Sequence, residues 1–109
     1  MPTFEEFLGF DIRVGTVVSA RIHPTAKKPA FQMEIDFGPA GIKRSSAQLT
    51  TRYDPAGLVG RQVAAVLGFP PRRIGDFTSE VLVLGAILPG NEVVLLAIDA
   101  PVPNGSPVA

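Results

Sequence analysis

Apolar and polar residues alternate along two stretches in the first half of the chain, as in β-strands that bury one face. The first stretch runs over residues 12–22 and contains Gly15, which predicts a bulge or a sharp bend. The second is the cleanest alternation in the sequence, with apolar side chains on one side and Gln32, Glu34 and Asp36 on the other. The apolar set is Phe31, Met33, Ile35 and Phe37. A Gly-Pro-Ala-Gly turn at 38–41 then predicts a hairpin with a returning strand over residues 42–49.

The other segments predict three more strands and little helix. Thr3 and Glu6 have the spacing of a capping box, which predicts a short helix from Phe4 to about Leu8. Asp54 followed by Pro55 predicts one further helical turn. Apolar runs over 62–69, 81–87 and 92–98 predict strands, and a proline-rich tail follows as either an ordered clip or a frayed end. The order predicts an all-β fold: a single domain over residues 1–109, built as a five-stranded Greek-key OB-fold barrel with a short N-terminal helix and a C-terminal extension.

Two of the predicted strands are apolar on both faces, which a small barrel cannot bury by itself. They cover residues 81–84 and 93–98. Only 18% of the residues are charged, below the roughly 25% typical of soluble domains. A homodimer that covers these faces is the simplest interpretation, and the alternative is that the helix and the tail cover them within one chain.

Composition argues against catalysis. The chain has no cysteine and a single histidine, His23, and it lacks a glycine-rich phosphate loop before a helix. Glu34 and Asp36 lie on the polar side of one strand and are interpreted as a solvated face. We therefore expect a non-enzymatic protein without cofactor or metal. The absence of an 18-residue apolar stretch and of a signal-peptide pattern predicts a soluble, cytoplasmic protein without membrane insertion.

Basic residues concentrate in the middle of the chain, although the net charge is zero. Between Arg21 and Arg73 there are nine basic residues and three acidic ones, a pattern that indicates a polyanionic or acidic partner unless the flanking acidic segments neutralise it in the fold.

The most informative stretch is the loop over residues 69–80, where two prolines precede Arg72 and Arg73 and where Ser79 and Glu80 follow. Glu80 either accepts hydrogen bonds from a ligand or fixes the loop by pairing with these arginines or with backbone N–H groups.

The candidate ligand surface combines polar residues of the third strand and of this loop. Alternation on the third strand directs Arg44, Ser46 and Gln48 outward, onto the face that binds ligands in OB folds. An apolar groove beside them is predicted from Phe69, Pro70, Pro71, Ile74 and Phe77. Lys27 and Lys28 are further candidates. The alternative for every one of these charges is an ordinary solvated side chain.

Several motifs resemble one known family along nearly the whole chain. They are residues 10–15, 28–30, 36–39 and 45–50, the Pro-Pro-Arg-Arg-Ile loop, residues 79–85 and residues 102–105. Together they resemble the CsaA proteins, which are similar to the tRNA-binding domain appended to methionyl-tRNA synthetases and found in endothelial monocyte-activating polypeptide. Gly68 departs from the pattern, which usually has asparagine there.

The resemblance implies an OB fold, a homodimer, a tRNA-binding ancestry and a chaperone role in bacterial protein export, with unfolded preproteins and the export machinery as partners. It also implies which residues contact the ligand: Lys43, Ser46, Gln48, Arg72, Arg73, Ser79 and Glu80. Two functions follow as alternatives. The protein either holds extended polypeptides in a groove or binds structured tRNA through positive faces. A third, less specific interpretation is an interaction scaffold without a ligand groove.

Overall fold

The computed structural model describes residues 1–22, 30–49 and 52–109, and these residues form two short α-helices, two 3-10 helices (Gly38–Ala40 and Pro89–Asn91) and nine strands. The helices are α1 (Phe4–Leu8) and α2 (Pro55–Leu58). The strands are β1 (Asp11–Ile22), β2 (Phe31–Asp36), β3 (Ile42–Ala47), β4 (Gln62–Leu67), β5 (Arg72–Ile74), β6 (Phe77–Ser79), β7 (Leu82–Val83), β8 (Gly85–Ile87) and β9 (Val93–Leu95). The class is all-β, as predicted.

A curled antiparallel sheet with the strand order β3-β2-β1-β4-β7 forms the body of the molecule. Its concave side buries the apolar face predicted for β2, where Met33, Ile35 and Phe37 have no accessible surface. Val17 of β1, Leu58 of α2 and Val63 of β4 belong to the same core. The period-two pattern therefore assigned the buried face of the sheet correctly.

Gly15 allows β1 to approach β2 closely. A Cβ atom at this position would lie 2.7 Å from both Ile35 Cγ2 and Phe37 Cδ1, inside van der Waals contact. The irregularity of β1 itself lies further along, where the register with β2 shifts between Val17 and Ser19. The bulge that was expected at Gly15 therefore lies between Val17 and Ser19. Gly15 is needed for a different reason, the close packing of β1 against β2.

The segment after β6 connects the two edges of the curled sheet. The Glu80 N–H donates to the Arg44 carbonyl at 2.8 Å, and the Ser45 hydroxyl donates to the Val81 carbonyl at 3.1 Å. Ser45 is 1% exposed, so its only polar side-chain atom is satisfied inside the core. These bonds fix the start of β7 against β3.

Both chain ends are ordered, in different ways. The predicted capping box is present in α1, yet α1 has no buried residue. The tail is an ordered clip: the Gln62 amide exchanges hydrogen bonds with the backbone of Val102, at 2.7 and 3.1 Å, and Asn104 Oδ1 accepts from the Thr16 hydroxyl at 2.7 Å. Asp54 caps α2 as predicted.

The sequence prediction was wrong in detail in the second half of the chain. The predicted strand over 81–87 is divided into β7 and β8, because β8 leaves β4 to pair with β9. The segment predicted as a loop contains the β5–β6 hairpin. No helix within the described residues is long and apolar enough to span a membrane.

Candidate functional site

The β5–β6 hairpin positions the arginine pair that the sequence indicated. It turns at Gly75, whose φ of +63° lies in the left-handed region that glycine adopts without strain. Arg72 pairs with Ser79, Arg73 with Thr78, and Ile74 with Phe77. Because neighbouring side chains of a strand point to opposite faces, Arg72 and Ile74 share one face of the hairpin and Arg73 lies on the other.

A groove of about 320 Å³, here called the hairpin groove, lies against the Arg72 face. Its lining residues are Ser46, Phe69, Pro70, Arg72, Ile74, Ser79, Glu80, Val81 and Leu82. All but Val81 and Leu82 were predicted as site residues. Val81 and Leu82 lie in an apolar run that predicts a strand, so the sequence did not indicate that they also line a groove.

Hydrogen bonds to β3 hold the polar side of the groove. The Glu80 carboxylate accepts from the Arg44 backbone N–H at 3.1 Å and lies 3.4 Å from Arg44 Nε. The Ser79 hydroxyl accepts from the Ser46 N–H at 3.1 Å. Glu80 therefore fixes the loop through a backbone N–H group, one of the two expected modes. Its ion-pair partner is Arg44 and not Arg72 or Arg73.

Arg72 is the single basic residue among those that line the groove. It is exposed, and its guanidinium makes no hydrogen bond or ion pair with any residue in the described ranges. One available guanidinium lies beside one carboxylate that is already paired. The groove is thus weakly charged, with an apolar side formed by Phe69, Pro70 and Ile74.

Six predicted site residues lie outside the groove. Arg44 places its guanidinium 5.6 Å from the centroid of the Phe77 ring, which is 8% exposed and so lies beneath Arg44. Arg73 donates from Nε to the Gly75 carbonyl at 2.9 Å, on the opposite face of the hairpin. Lys43, Gln48 and Pro71 do not line it either, and Lys43 shares the face of β3 that carries the buried Ser45.

The candidates Lys27 and Lys28 lie outside the described residues, as does His23.

A second cavity of about 550 Å³, here called the polar cleft, is lined by residues of β1, β2, β3 and the β5–β6 hairpin. Its lining residues are Ser19, Ala20, Arg21, Gln32, Met33, Glu34, Arg44, Asp76 and Phe77. Arg44 lines the cleft, and its backbone N–H donates to Glu80 of the groove, so the two cavities lie next to each other along β3. Sequence reasoning missed this cleft because the polar face of β2 looks like any solvated strand face.

The fold and the site define a member of an RNA-associated domain family. Residues 12–107 match the family model described as a putative tRNA binding domain, and the chain belongs to this family. Within it, the chain is 49% identical to the solved chaperone CsaA from Bacillus anthracis, with a TM-score of 0.95, 100% coverage of this chain and 99% of the other. CsaA from Picrophilus torridus is 43% identical, with a TM-score of 0.93 and complete coverage of both chains. These likenesses confirm the resemblance that the sequence motifs carried.

Methionine–tRNA ligases are also similar to this chain. The enzyme of Porphyromonas gingivalis is 40% identical over 83 residues, which are 76% of this chain and 12% of the enzyme. The enzyme of Methanococcoides burtonii is 31% identical over 86% of this chain and 14% of its own length. The chain therefore spans about an eighth of the curated relatives that it matches.

Proposed function

We propose that the protein is a non-catalytic chaperone whose hairpin groove holds extended, apolar segments of unfolded polypeptides. Its clients would be preproteins in the cytoplasm before export, and its fold would be a closed Greek-key barrel of the OB type. The observation that carries this proposal is the groove itself, with an apolar side of Phe69, Pro70 and Ile74 and a rim that holds one available cation.

The chemistry of the groove suits a peptide better than a nucleic acid. Its volume of about 320 Å³ is near the lower end of the roughly 300–1,000 Å³ of ligand pockets. Apolar side chains of a client would gain free energy from burial against Ile74 and Leu82, at about 25 cal/mol per Å² of apolar surface. Arg72 and Ser79 would orient the client backbone. A phosphate chain would instead approach the Glu80 carboxylate.

Two of the similar structures support the chaperone proposal. The two CsaA structures described above, 49% and 43% identical to this chain over its whole length, are chaperones by name, whereas the matching ligases extend far beyond the shared domain.

We also propose that the working form is a homodimer. Large apolar side chains are exposed on α1 and on the segment after the groove, including Phe4 at 70%, Ile87 at 75% and Leu96 at 47%. A contiguous apolar patch of more than a few hundred Å² is rare on a monomer and marks an interface. A second copy of the chain would cover these side chains and bring two grooves into one particle, which adds avidity for a long client.

Salt dependence tests the peptide proposal. The affinity of an extended apolar peptide should change less than about twofold between about 50 and 200 mM salt, because burial of apolar surface does not release counterions. Fluorescence anisotropy of a labelled peptide measures this. A fall in affinity of two orders of magnitude over the same range would indicate binding driven by charge, and would reject the apolar groove as the main contact.

Binding of tRNA is the second candidate function, and membership of the tRNA-binding family favours it. Arg72 and Arg73 extend from opposite faces of one exposed hairpin and could contact phosphates on two sides. We expect the double change Arg72→Ala and Arg73→Ala to abolish measurable tRNA binding while part of the peptide affinity remains. Each lost phosphate contact should reduce the log–log salt slope by about 0.7 to 0.9.

A control double variant, Arg13→Ala with Arg52→Ala, removes the same charge from two arginines that pair with Asp11 and Glu92. It should bind tRNA nearly as the parent does. Unchanged tRNA affinity in the hairpin variant would exclude the hairpin as the RNA contact. Electrophoretic mobility shifts at fixed salt distinguish these outcomes.

A further inference from the structure

The first half of β1 has a sheet edge that β2 does not cover. On one side β1 pairs with β4 over residues 11–16, but on the other side its pairing with β2 begins only at Thr16. Residues 106–108 of the tail, here called the strap, lie along this uncovered edge. They form an antiparallel bridge in which Pro107 lies opposite Arg13. The strap is therefore a short segment that the chain adds to its own sheet.

The hydrogen bonds that hold the strap form an incomplete ladder. The Val14 N–H donates to the Ser106 carbonyl at 2.9 Å, and the Val108 N–H donates to the Ile12 carbonyl at 2.8 Å. A regular antiparallel ladder would add a return bond in each of these pairs. The Ile12 N–H makes no hydrogen bond with a described residue, and the Ser106 N–H donates to the Pro103 carbonyl instead. The strap thus makes only two of the four backbone bonds that a regular strand would make here.

The turn that precedes the strap is held by more hydrogen bonds than the strap itself. The Gly105 N–H donates to the Val14 carbonyl at 2.7 Å. Asn104 Oδ1 accepts from the Thr16 hydroxyl at 2.7 Å and from Gln62 Nε2 at 3.1 Å. Breaking the two strap bonds leaves these three in place. The strap can therefore leave β1 while the turn stays docked.

Pro107 ends the sheet on this side. In a bridge of this type the backbone groups of the two facing residues point away from each other, so the nitrogen of Pro107 faces outward. Proline has no N–H, and proline on an edge strand hinders the pairing of a further strand. The strap thus covers an edge that could accept a strand and presents one that lacks a donor.

We propose that this edge of β1 is a second polypeptide site, which the strap closes and which an extended client segment occupies when the strap leaves. The strap itself indicates the ligand, since a short polypeptide segment pairs with the edge in this structure. A client strand can make the two bonds that the strap makes and add one from the Ile12 N–H. Bonds to the backbone do not depend on the client's sequence. The proposal rests on the chaperone function for its class of ligand, and it adds a site separate from the hairpin groove.

Val108→Pro tests the strap through a single backbone group, because it removes the N–H that donates to Ile12. Val108→Ala keeps this N–H and is the matched control. The probe is a fluorescein-labelled peptide of alternating valine and threonine with a lysine at each end. Loss of one backbone bond shifts the strap toward its open position, so anisotropy should show about fivefold tighter binding by Val108→Pro than by the parent. Val108→Ala should bind the probe as the parent does.

A reversible lock makes the opposite change. Arg13 and Pro107 form a non-hydrogen-bonded pair, whose Cα atoms lie about 4.5 Å apart in antiparallel strands, a separation that a disulfide can span. The chain has no cysteine of its own, so Arg13→Cys with Pro107→Cys introduces a single disulfide. The oxidised protein should bind the probe at least about tenfold more weakly than the same protein after reduction.

A second peptide, N-methylated at alternate amides, keeps the side chains of the probe but lacks the N–H groups of one edge. It should bind Val108→Pro and Val108→Ala equally. The proposal would be overturned if both peptides gained affinity in Val108→Pro, or if neither this variant nor the lock changed the affinity of the probe. Assemblies of Val108→Pro larger than those of the parent, without a gain in peptide affinity, would overturn it by assigning the edge to a second copy of the chain.

The same titrations in an Ile74→Asp background separate this site from the hairpin groove. If the groove is not a peptide site, Ile74→Asp has no effect and the response to the strap variants remains. If the strap covers no site, Ile74→Asp still weakens peptide binding and the strap variants change nothing.

Discussion

Ile74→Asp is expected to lower the affinity for an extended apolar peptide by at least about 100-fold. The substitution removes the branched side chain from the apolar side of the hairpin groove and places a carboxylate near that of Glu80. A charge that must lose its water when the client binds costs several kcal/mol unless it is paired, and every 1.4 kcal/mol is a factor of ten in affinity. Anisotropy with a labelled peptide at about 150 mM salt, near physiological ionic strength, measures the loss.

Thr78→Asp provides a closely matched control. Thr78 lies on β6 opposite Arg73, on the face of the same hairpin that points away from the groove. The two variants introduce the same charge and a similar loss of strand propensity, and they differ in the face that carries the carboxylate. Equal weakening in both variants would show that the hairpin acts as a whole and that the groove is not the peptide site.

Ile87→Lys is expected to convert a dimer into a monomer at micromolar concentration. Ile87 is 75% exposed in the single chain, and Leu88 beside it is 36% exposed, in the β8–β9 ladder that leaves the main sheet. If a second copy covers this ladder, a lysine in the centre of the interface would raise the dimer dissociation constant by about 100-fold or more, as hot-spot changes do.

Sedimentation velocity of the parent and of the variant tests this expectation. The parent should sediment as twice its 11.5 kDa mass. Val59→Lys is a suitable control, because Val59 is an apolar residue of similar size, 49% exposed, that follows α2. A monomeric parent, or a dimer that both lysine variants leave intact, would contradict the assignment of the interface.

The sequence predicted the sheet well wherever one face is buried and the other solvated. β1, β2 and β3 lie where the alternation indicated them, because a shift of one residue would move every apolar side chain to the wrong face. The pattern failed over residues 81–87, which are apolar on both sides. Alternation carries no information there, and the break at Leu84 arises because β8 pairs with β9, the strand that follows it, and not with β4.

Only part of the candidate site was predicted from the sequence. Whether a residue was assigned correctly depended on whether its contacts are local or depend on the pairing of distant strands. Arg72, Ser79 and Glu80 are close in sequence, so a rigid loop was enough to bring them together. Arg44 was correctly directed outward, but its contact with the Phe77 ring needs the hairpin to fold back over β3. Gln32 and Arg21 meet only because β1 and β2 pair in one particular register, which no local pattern fixes.

The central claim is that the hairpin groove is where an unfolded client lies, and crosslinking tests it most directly. A client peptide that carries a benzophenone at its apolar centre is bound to the full chain and irradiated, and the attached residues are identified by mass spectrometry. We expect the crosslinks to fall between residues 69 and 82, and to decrease in Ile74→Asp but not in Thr78→Asp. Crosslinks concentrated on the polar cleft or on α1, with residues 69–82 unlabelled, would contradict the claim.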